Sequence, residues 1–254
     1  MSYHIDTTPI WDAVRSGSEC PLCTLARSVE SGMIELYLGG SVMEPATRIA
    51  VNDRGFCARH LRMLWDSEQK LPLALMLDTR MDTLLEKLRP LLQAASDEAA
   101  RKKPARKLTA ASKLLSAVEK ECAGCVVCER SGAIMERYTE TVASMLSGDA
   151  DFRKSFAGCR GFCQPHFAAL LRELLKPALL RDPRPLIAML CDLQREALSR
   201  LHEETHFFTT KFNYRNADKP WGTAKDAPQR ALQKLRGYEA GAPEDAQNDP
   251  DSLR

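Results

Sequence analysis

The sequence predicts an all-α protein made of two similar helical repeats. Leu71–Leu92 and Leu186–Phe208 carry apolar residues three and four positions apart, which is the spacing of a helix with one buried face. No alternation of β-branched and polar residues is long enough to predict a strand. The same order of motifs also occurs twice along the chain, which indicates two copies of one unit.

Length and charge narrow the class of protein. The 254 residues can bury a substantial core, and 36 Lys and Arg against 34 Asp and Glu leave no basic field that would favour nucleic acid. No apolar run reaches the roughly 18 residues of a membrane span. The N-terminus lacks the features of a signal peptide, so we expect a cytoplasmic protein. In that compartment nine cysteines are more typical of metal binding or catalysis than of disulfides.

Each predicted repeat has a C-x2-C motif, a helix, a Gly-Phe-Cys turn and a long Leu-rich helix. Cys20-Pro21 resembles an N-cap followed by Pro at the first helical position, and Pro90 predicts a kink in the first long helix. The predicted organisation is a first repeat over 5–100, a basic linker over 101–108, a second repeat over 109–208, an arm with a short helix over 209–237, and a disordered tail over 238–254.

The spacing of cysteine and histidine is the strongest functional signal. C-x2-C is followed by C-x2-H after 33 residues in the first repeat and after 34 in the second. Three thiolates and one imidazole form a preferred tetrahedral ligand set for Zn²⁺, and a two-residue gap lets both members of a pair reach one ion. The predicted sites are Cys20, Cys23, Cys57 and His60 in the first repeat, and Cys125, Cys128, Cys163 and His166 in the second.

A site closed by four protein ligands favours a structural role over catalysis, because no coordination position is left for water. We therefore expect two zinc ions per chain and a non-enzymatic binding or scaffold role. The alternative is an iron–sulfur or thiolate-based redox and metal-handling protein, which the spacing alone leaves open. Partners and substrate are not indicated by the sequence.

Three further cysteines lie outside these sets. Cys122 and Cys125 form a second possible C-x2-C, but that choice lengthens the gap to Cys163 to 37 residues, so we prefer Cys125 and Cys128. Cys122 and Cys159 then have no assigned role, and Cys191 is predicted to lie in the core.

Residues His202-Glu203-Glu204-Thr205-His206 match H-E-x-x-H, the zinc protease motif in which two His bind the metal and the first Glu is the general base. A third ligand is not evident, so we favour a helix end with His near its C-terminus over an H-E-x-x-H metallohydrolase site. Asp78 and Asp192 occupy matching repeat positions; each either orients a ligating His or is an exposed helix residue.

Two basic segments also have two interpretations each. Arg101–Lys107 is either a solvated linker or an anion-binding patch. Lys211–Gly222 mixes aromatic and basic residues, which either stack on a base or pack back on the helical body through Phe212, Tyr214 and Trp221. We favour the linker and the packed arm.

The motifs resemble those of a bacterial and archaeal family of uncharacterised proteins, a domain of unknown function. The resemblance rests on CPLC, GFCARH, ALMLDT, CVVCE, MERY, GFCQPHF, and the arm sequences KFNYRN and PWG, and it extends over residues 5–237. Some relatives are labelled as transporter substrate-binding components. The family pattern C-x-x-C-E implies the pair Cys125 and Cys128, and it does not include His202–His206.

Overall fold

The computed structural model describes residues 7–101, 107–176, 182–216 and 218–237. Within these ranges the secondary structure consists of α-helices and short 3-10 turns, and contains no strand. The all-α prediction is therefore confirmed. The helices are α1 (Thr7–Arg15), α2 (Pro21–Leu38), α3 (Pro45–Arg54), α4 (Ala58–Asp66), α5 (Lys70–Ala99), α6 (Thr109–Ala123), α7 (Val126–Gly148), α8 (Ala150–Ala157), α9 (Gln164–Leu174), α10 (Arg184–Thr210) and α11 (Ala227–Arg236).

The helix boundaries follow local sequence signals. Pro21 opens α2 and Pro45 opens α3, because proline fits the first turn, where its missing N–H is not needed. The two long Leu-rich segments form α5 and α10, as predicted, and Pro90 lies inside α5. The predicted short helix of the C-terminal segment is α11.

The chain folds as two compact units. Unit 1 consists of Met1–Val29 and Ala133–Arg254, and unit 2 consists of Glu30–Gly132. The boundaries fall within α2 and α7. Because unit 1 contains segments from both sides of unit 2 along the chain, the two units do not follow the bounds of the predicted repeats.

Each unit has its own apolar core. In unit 1 the rings of Phe152, Phe156 and Phe162 are fully buried and lie 5.1 to 5.9 Å apart between centroids. In unit 2 the buried Tyr37 packs edge-on against Phe56 at 5.5 Å. The metal-ligating cysteines of unit 1 and Cys125 of unit 2 belong to these cores, so each candidate site is continuous with the packing around it.

Several sequence predictions need correction or fall outside the described residues. Cys191 is exposed, because the buried face of α10 runs instead through residues such as Leu190 and Gln194. In the arm, Trp221 packs against Phe208 at 5.4 Å, but Tyr214 is 79% exposed. Phe212 is also mostly exposed, although its ring reaches Phe208. Most of the linker (102–106) and the tail (238–254) lie outside the described residues.

Among the described residues, no helix has the length and apolar character needed to span a membrane.

Candidate metal centres

The eight predicted ligands come together in two groups of four, but the pairing predicted from the sequence is wrong. Cys20 and Cys23 meet Cys163 and His166, whereas Cys57 and His60 meet Cys125 and Cys128. Each C-x2-C therefore combines with the C-x2-H of the other sequence copy. The first group lies in unit 1 and is called centre 1, and the second lies in unit 2 and is called centre 2.

The pairing is nested along the chain. The pair of centre 2 formed by Cys57 and His60 and the pair formed by Cys125 and Cys128 both lie between the two pairs of centre 1 in sequence. The α2 helix, 18 residues and about 27 Å long, follows Cys20 directly.

In centre 1 five of the six distances between ligand atoms lie between 3.2 and 3.7 Å. Cys163 Sγ lies 3.7 Å from Cys20 Sγ and 3.6 Å from Cys23 Sγ. Nδ1 of His166 lies 3.4 Å from the sulfurs of Cys20 and Cys23, and 3.2 Å from that of Cys163. The three cysteines are buried and the histidine is half-buried.

Centre 2 has the same dimensions. Sγ of Cys57 lies 3.8 Å from Sγ of Cys128. Nδ1 of His60 lies 3.2 Å from Cys57 Sγ, 3.2 Å from Cys125 Sγ and 3.4 Å from Cys128 Sγ. Here His60 and Cys125 are buried, Cys57 is half-buried and Cys128 is exposed.

These distances are close to the edges of a tetrahedron around a single ion. Zn–S bonds of about 2.3 Å and Zn–N bonds of about 2.0–2.1 Å would separate neighbouring sulfurs by about 3.8 Å, and sulfur from nitrogen by about 3.5 Å. All ligand atoms of each group also lie within 4.8 Å of one another. Either group could therefore hold one metal ion.

The ligands lie at helix starts, as the motifs predict. Cys57 is the N-cap of α4 and Cys163 is the N-cap of α9, and each is followed by its histidine three residues later. The backbone oxygens of Cys20 and Cys125 accept the first helical hydrogen bonds of α2 and α7. Each centre thus lies at the positive ends of two helices, which favours thiolates over thiols.

Thiol pKa values within the centres shift in opposite directions. Hydrogen bonds from Cys20 and Cys23 lower the pKa of Cys163 far below its ordinary value, whereas burial raises the pKa of Cys20. Burial also raises the pKa of Cys125, but the hydrogen bond with His60 outweighs it, so that this pKa falls to about 6. Burial alone would lower the pKa of His60, yet its bonds to Cys125 and Glu30 raise it to about 10. Hydrogen bonds among the ligand groups therefore outweigh burial at Cys163, Cys125 and His60, but not at Cys20.

A buried charge network surrounds centre 1. The carboxylate of Glu19, next to Cys20, forms ion pairs with Arg200 at 2.7 Å, Arg230 at 3.0 Å and Lys234 at 3.0 Å. Burial raises the pKa of Glu19, but these cations outweigh it and lower the pKa to about 2. The ammonium of Lys234, which is 1% exposed, also donates to the backbone oxygen of Glu19 at 2.5 Å.

Through these contacts α11 covers centre 1. Lys234 also donates to the backbone oxygen of Arg160 at 2.7 Å, three residues before Cys163. Gly237, directly after α11, passes so close that an added Cβ would lie 3.5 Å from Cys163 Sγ. The final helix therefore holds both segments that supply the ligands of centre 1.

Centre 2 has a different neighbour. Nε2 of His60, the nitrogen that faces away from the sulfurs, lies 2.7 Å from Oε1 of the buried Glu30, which also binds Arg59. Such a carboxylate fixes the ring orientation and strengthens the imidazole as a ligand. Among the described residues, no carboxylate pairs in this way with His166. Sequence reasoning missed Glu30 and considered Asp78 and Asp192 instead, both of which are exposed.

Glycines allow the ligand segments to approach closely. Gly55 and Gly161 precede the two C-x2-H motifs with φ of 64° and 82°, a region that other residues rarely adopt. At Gly124, directly before Cys125, an added Cβ would lie 2.4 Å from the backbone oxygen of Arg54. The neighbouring N–H of Val126 donates to the oxygen of Gly55 at 3.0 Å, which joins the two ligand segments of centre 2.

The H-E-x-x-H segment does not form a third centre among the described residues. His202 and His206 lie on one side of α10 with ring centroids 6.4 Å apart, and both are exposed. Glu203 is exposed, whereas Glu204 is bound by Arg200 and Arg230. The groups that could hold a metal in the described part of the chain do not include this segment.

Unit 2 also has an open apolar groove of about 590 Å³ beside Trp65. Its two charged lining residues, Arg62 and Asp66, pair with each other at 3.7 Å. The rest of its lining, Leu61, Trp65, Leu73 and Leu77, is apolar.

The fold and the two ligand groups define a helical protein with two Cys/His centres that could hold metal ions. The chain belongs to a family of unknown function (DUF6062), whose model matches residues 1–241. This confirms the resemblance seen in the motifs. Comparison with curated proteins and with solved structures finds no match.

Proposed function

We propose that the chain binds two zinc ions at Cys3His centres with a structural role, and that it acts as a non-enzymatic binding or scaffold protein. The observation that carries this proposal is the near-tetrahedral spacing of the ligand atoms, with Sγ–Sγ distances of 3.6 to 3.8 Å and Sγ–Nδ1 distances of 3.2 to 3.4 Å. Four protein ligands complete the coordination preferred by structural zinc and leave no open position for a substrate.

The same distances favour a single ion over an iron–sulfur cluster. The thiolates of a cluster bind different iron atoms, so a cluster separates at least some of its ligands widely. Here all four ligand atoms of each centre lie within 4.8 Å of one another. A redox or metal-handling role through exchangeable thiolates remains the second candidate, and the exposure of Cys128 favours it.

In a structural role, the free energy of metal binding becomes free energy of folding. Centre 1 links the start of α2 to the start of α9, and centre 2 links the start of α4 to the start of α7. These segments are distant in sequence, so each ion would close a long loop of the chain. Chelation is therefore expected to reduce helicity or lower the melting temperature.

Metal analysis of the full chain, purified anaerobically, tests the proposal. We expect two zinc ions per chain and a colourless preparation. Iron with absorbance near 400 nm would contradict the zinc assignment, and metal-free protein with unchanged thermal unfolding would contradict the structural role. A Glu203→Gln variant tests the hydrolase alternative, which would be supported only by a hydrolytic activity that this variant abolishes.

A further inference from the structure

We propose that centre 2 is a peroxide-sensitive metal site, in which oxidation of Cys57 and Cys128 to a disulfide releases the ion, while centre 1 retains its own. This inference rests on the proposed binding of one ion at each centre. Two properties carry it: the access of a small oxidant to each thiolate, and the distance between the sulfurs that would form a disulfide.

The two centres differ in the access they give to sulfur. In centre 1, Cys20, Cys23 and Cys163 are at most 1% exposed, and α11 lies over the segments that carry them. In centre 2, Cys128 is exposed and Cys57 is half-buried. Thiolate oxidation follows exposure and thiolate character, and a metal-bound sulfur is a thiolate.

The geometry also selects the pair of sulfurs. Cys125 is buried, and its sulfur accepts a hydrogen bond from the backbone N–H of Cys128 at 3.5 Å. This hydrogen bond makes the Cys125 sulfur a weaker nucleophile. Cys57 and Cys128 have their sulfurs 3.8 Å apart, and both are accessible. A disulfide between them would remove two of the four ligands of centre 2.

The chemistry requires only hydrogen peroxide and protons. The Cys128 thiolate attacks one peroxide oxygen, the O–O bond breaks, and the departing hydroxide takes a proton to become water. The Cys57 thiolate then attacks the resulting sulfenic sulfur, the S–S bond forms, and the sulfenic hydroxyl leaves as a second water after taking a proton. Both sulfurs together supply two electrons, which reduce the peroxide, and Cys125 and His60 alone then face the ion.

The test uses the full zinc-loaded chain with excess hydrogen peroxide and a colorimetric zinc chelator. We expect one of the two equivalents to be released at least about tenfold faster than the other. Peptide mapping after trapping of free thiols should find a Cys57–Cys128 disulfide at the end of the fast phase. Release of both equivalents at one rate, or a fast phase linked to Cys20, Cys23 or Cys163, would overturn the proposal.

Two variants sharpen the test. Cys128→His keeps a zinc ligand that peroxide does not convert to a disulfide, and its exposed position leaves room for the ring. We expect this variant to lose the fast phase. Cys122→Ser changes an exposed cysteine that is not a ligand and should leave the fast phase unchanged. Loss of the fast phase in Cys122→Ser would overturn the assignment to Cys57 and Cys128. Fewer than two zinc ions in the starting protein would instead contradict the proposed function itself.

Discussion

The two candidate metal centres have the same ligands and nearly the same dimensions, yet they are supported differently. The cysteines of centre 1 are buried, and ion pairs between α11 and Glu19 hold that helix beside them. Centre 2 contains an exposed cysteine, Cys128, but its histidine is oriented by the buried Glu30. The comparison teaches that identical ligand sets can be stabilised either by exclusion of solvent or by a hydrogen bond to the imidazole.

The largest expected effect comes from removing one ligand of each centre. Cys163→Ala should lose one metal equivalent and prevent unit 1 from folding, because structural zinc contributes about 10 kcal/mol or more to small metal-stabilised folds. Cys128→Ala should also lose one equivalent but lower the melting temperature less, because the truncated side chain is exposed. Metal content and thermal unfolding measure both. Equal decreases in melting temperature for the two variants would contradict the proposed contrast between a buried centre 1 and a more accessible centre 2.

Next in size is the charge network of centre 1. Glu19→Gln leaves Lys234 buried without its counter-ion, and a lowering of the Glu19 pKa from 4.5 to about 2 corresponds to a loss of about 3 kcal/mol. Chemical denaturation of the metal-loaded protein measures this loss. Glu140→Gln, at an exposed ion pair with Lys176, is the matched control and should change stability by less than about 0.5 kcal/mol.

The effect of Glu19 should depend on pH with a definite sign. Its folded-state pKa is lowered, so the stabilisation is present above pH 4.5 and disappears as the pH falls toward about 2. The difference in unfolding free energy between wild type and Glu19→Gln should therefore be constant near neutrality and shrink in acid. A difference that grows below pH 4.5 would contradict this account.

Glu30→Gln tests the corresponding support of centre 2. Loss of the carboxylate that orients His60 should weaken metal binding at centre 2 by about 10- to 100-fold and leave centre 1 unchanged. Competition with a chelator of known affinity measures both centres. Glu86→Gln, at an exposed position of α5, is the control. An equal weakening of both centres would show that Glu30 does not act through His60.

The smallest effects are expected at the two glycine turns. Alanine at Gly55 or Gly161 must adopt a positive φ, which costs about 1–2 kcal/mol. Gly161→Ala should cost more, because the new Cβ would lie 2.6 Å from Cβ of Ala197, whereas at Gly55 it meets only the flexible side chain of Arg80. Denaturant unfolding of the two variants compares them. Equal costs would indicate that the conformation of the turn alone decides stability.

Local patterns predicted the helices and the ligands well. Apolar spacing predicted α5 and α10, and proline and Gly-Phe signals predicted the helix starts at which the ligands lie. Cys125 and Cys128 lie together in one of the two groups that could hold a metal, and Cys122 does not. These features depend on residues within a few positions of one another, so a single sequence carries them.

Contacts between distant segments were not predictable in the same way. Glu30 lies 30 residues from His60, and Lys234 lies 215 residues from Glu19. Neither is part of a spaced motif, and a carboxylate or an ammonium on a helix is common on protein surfaces. Burial, which distinguishes these two residues, arises only when the helices pack.

The chain by itself determined which side chains form the two Cys/His groups, because C-x2-C and C-x2-H at helix starts place each pair on one side of a turn. It did not determine which pairs share an ion. The two C-x2-C pairs are chemically interchangeable, as are the two C-x2-H pairs, and the gaps of 33 and 34 residues are nearly equal, so spacing could not distinguish Cys57 from Cys163 as the partner of Cys20. Only the packing of the helices decided this, because it brings Cys163 at the start of α9 to Cys20 and Cys23 at the start of α2.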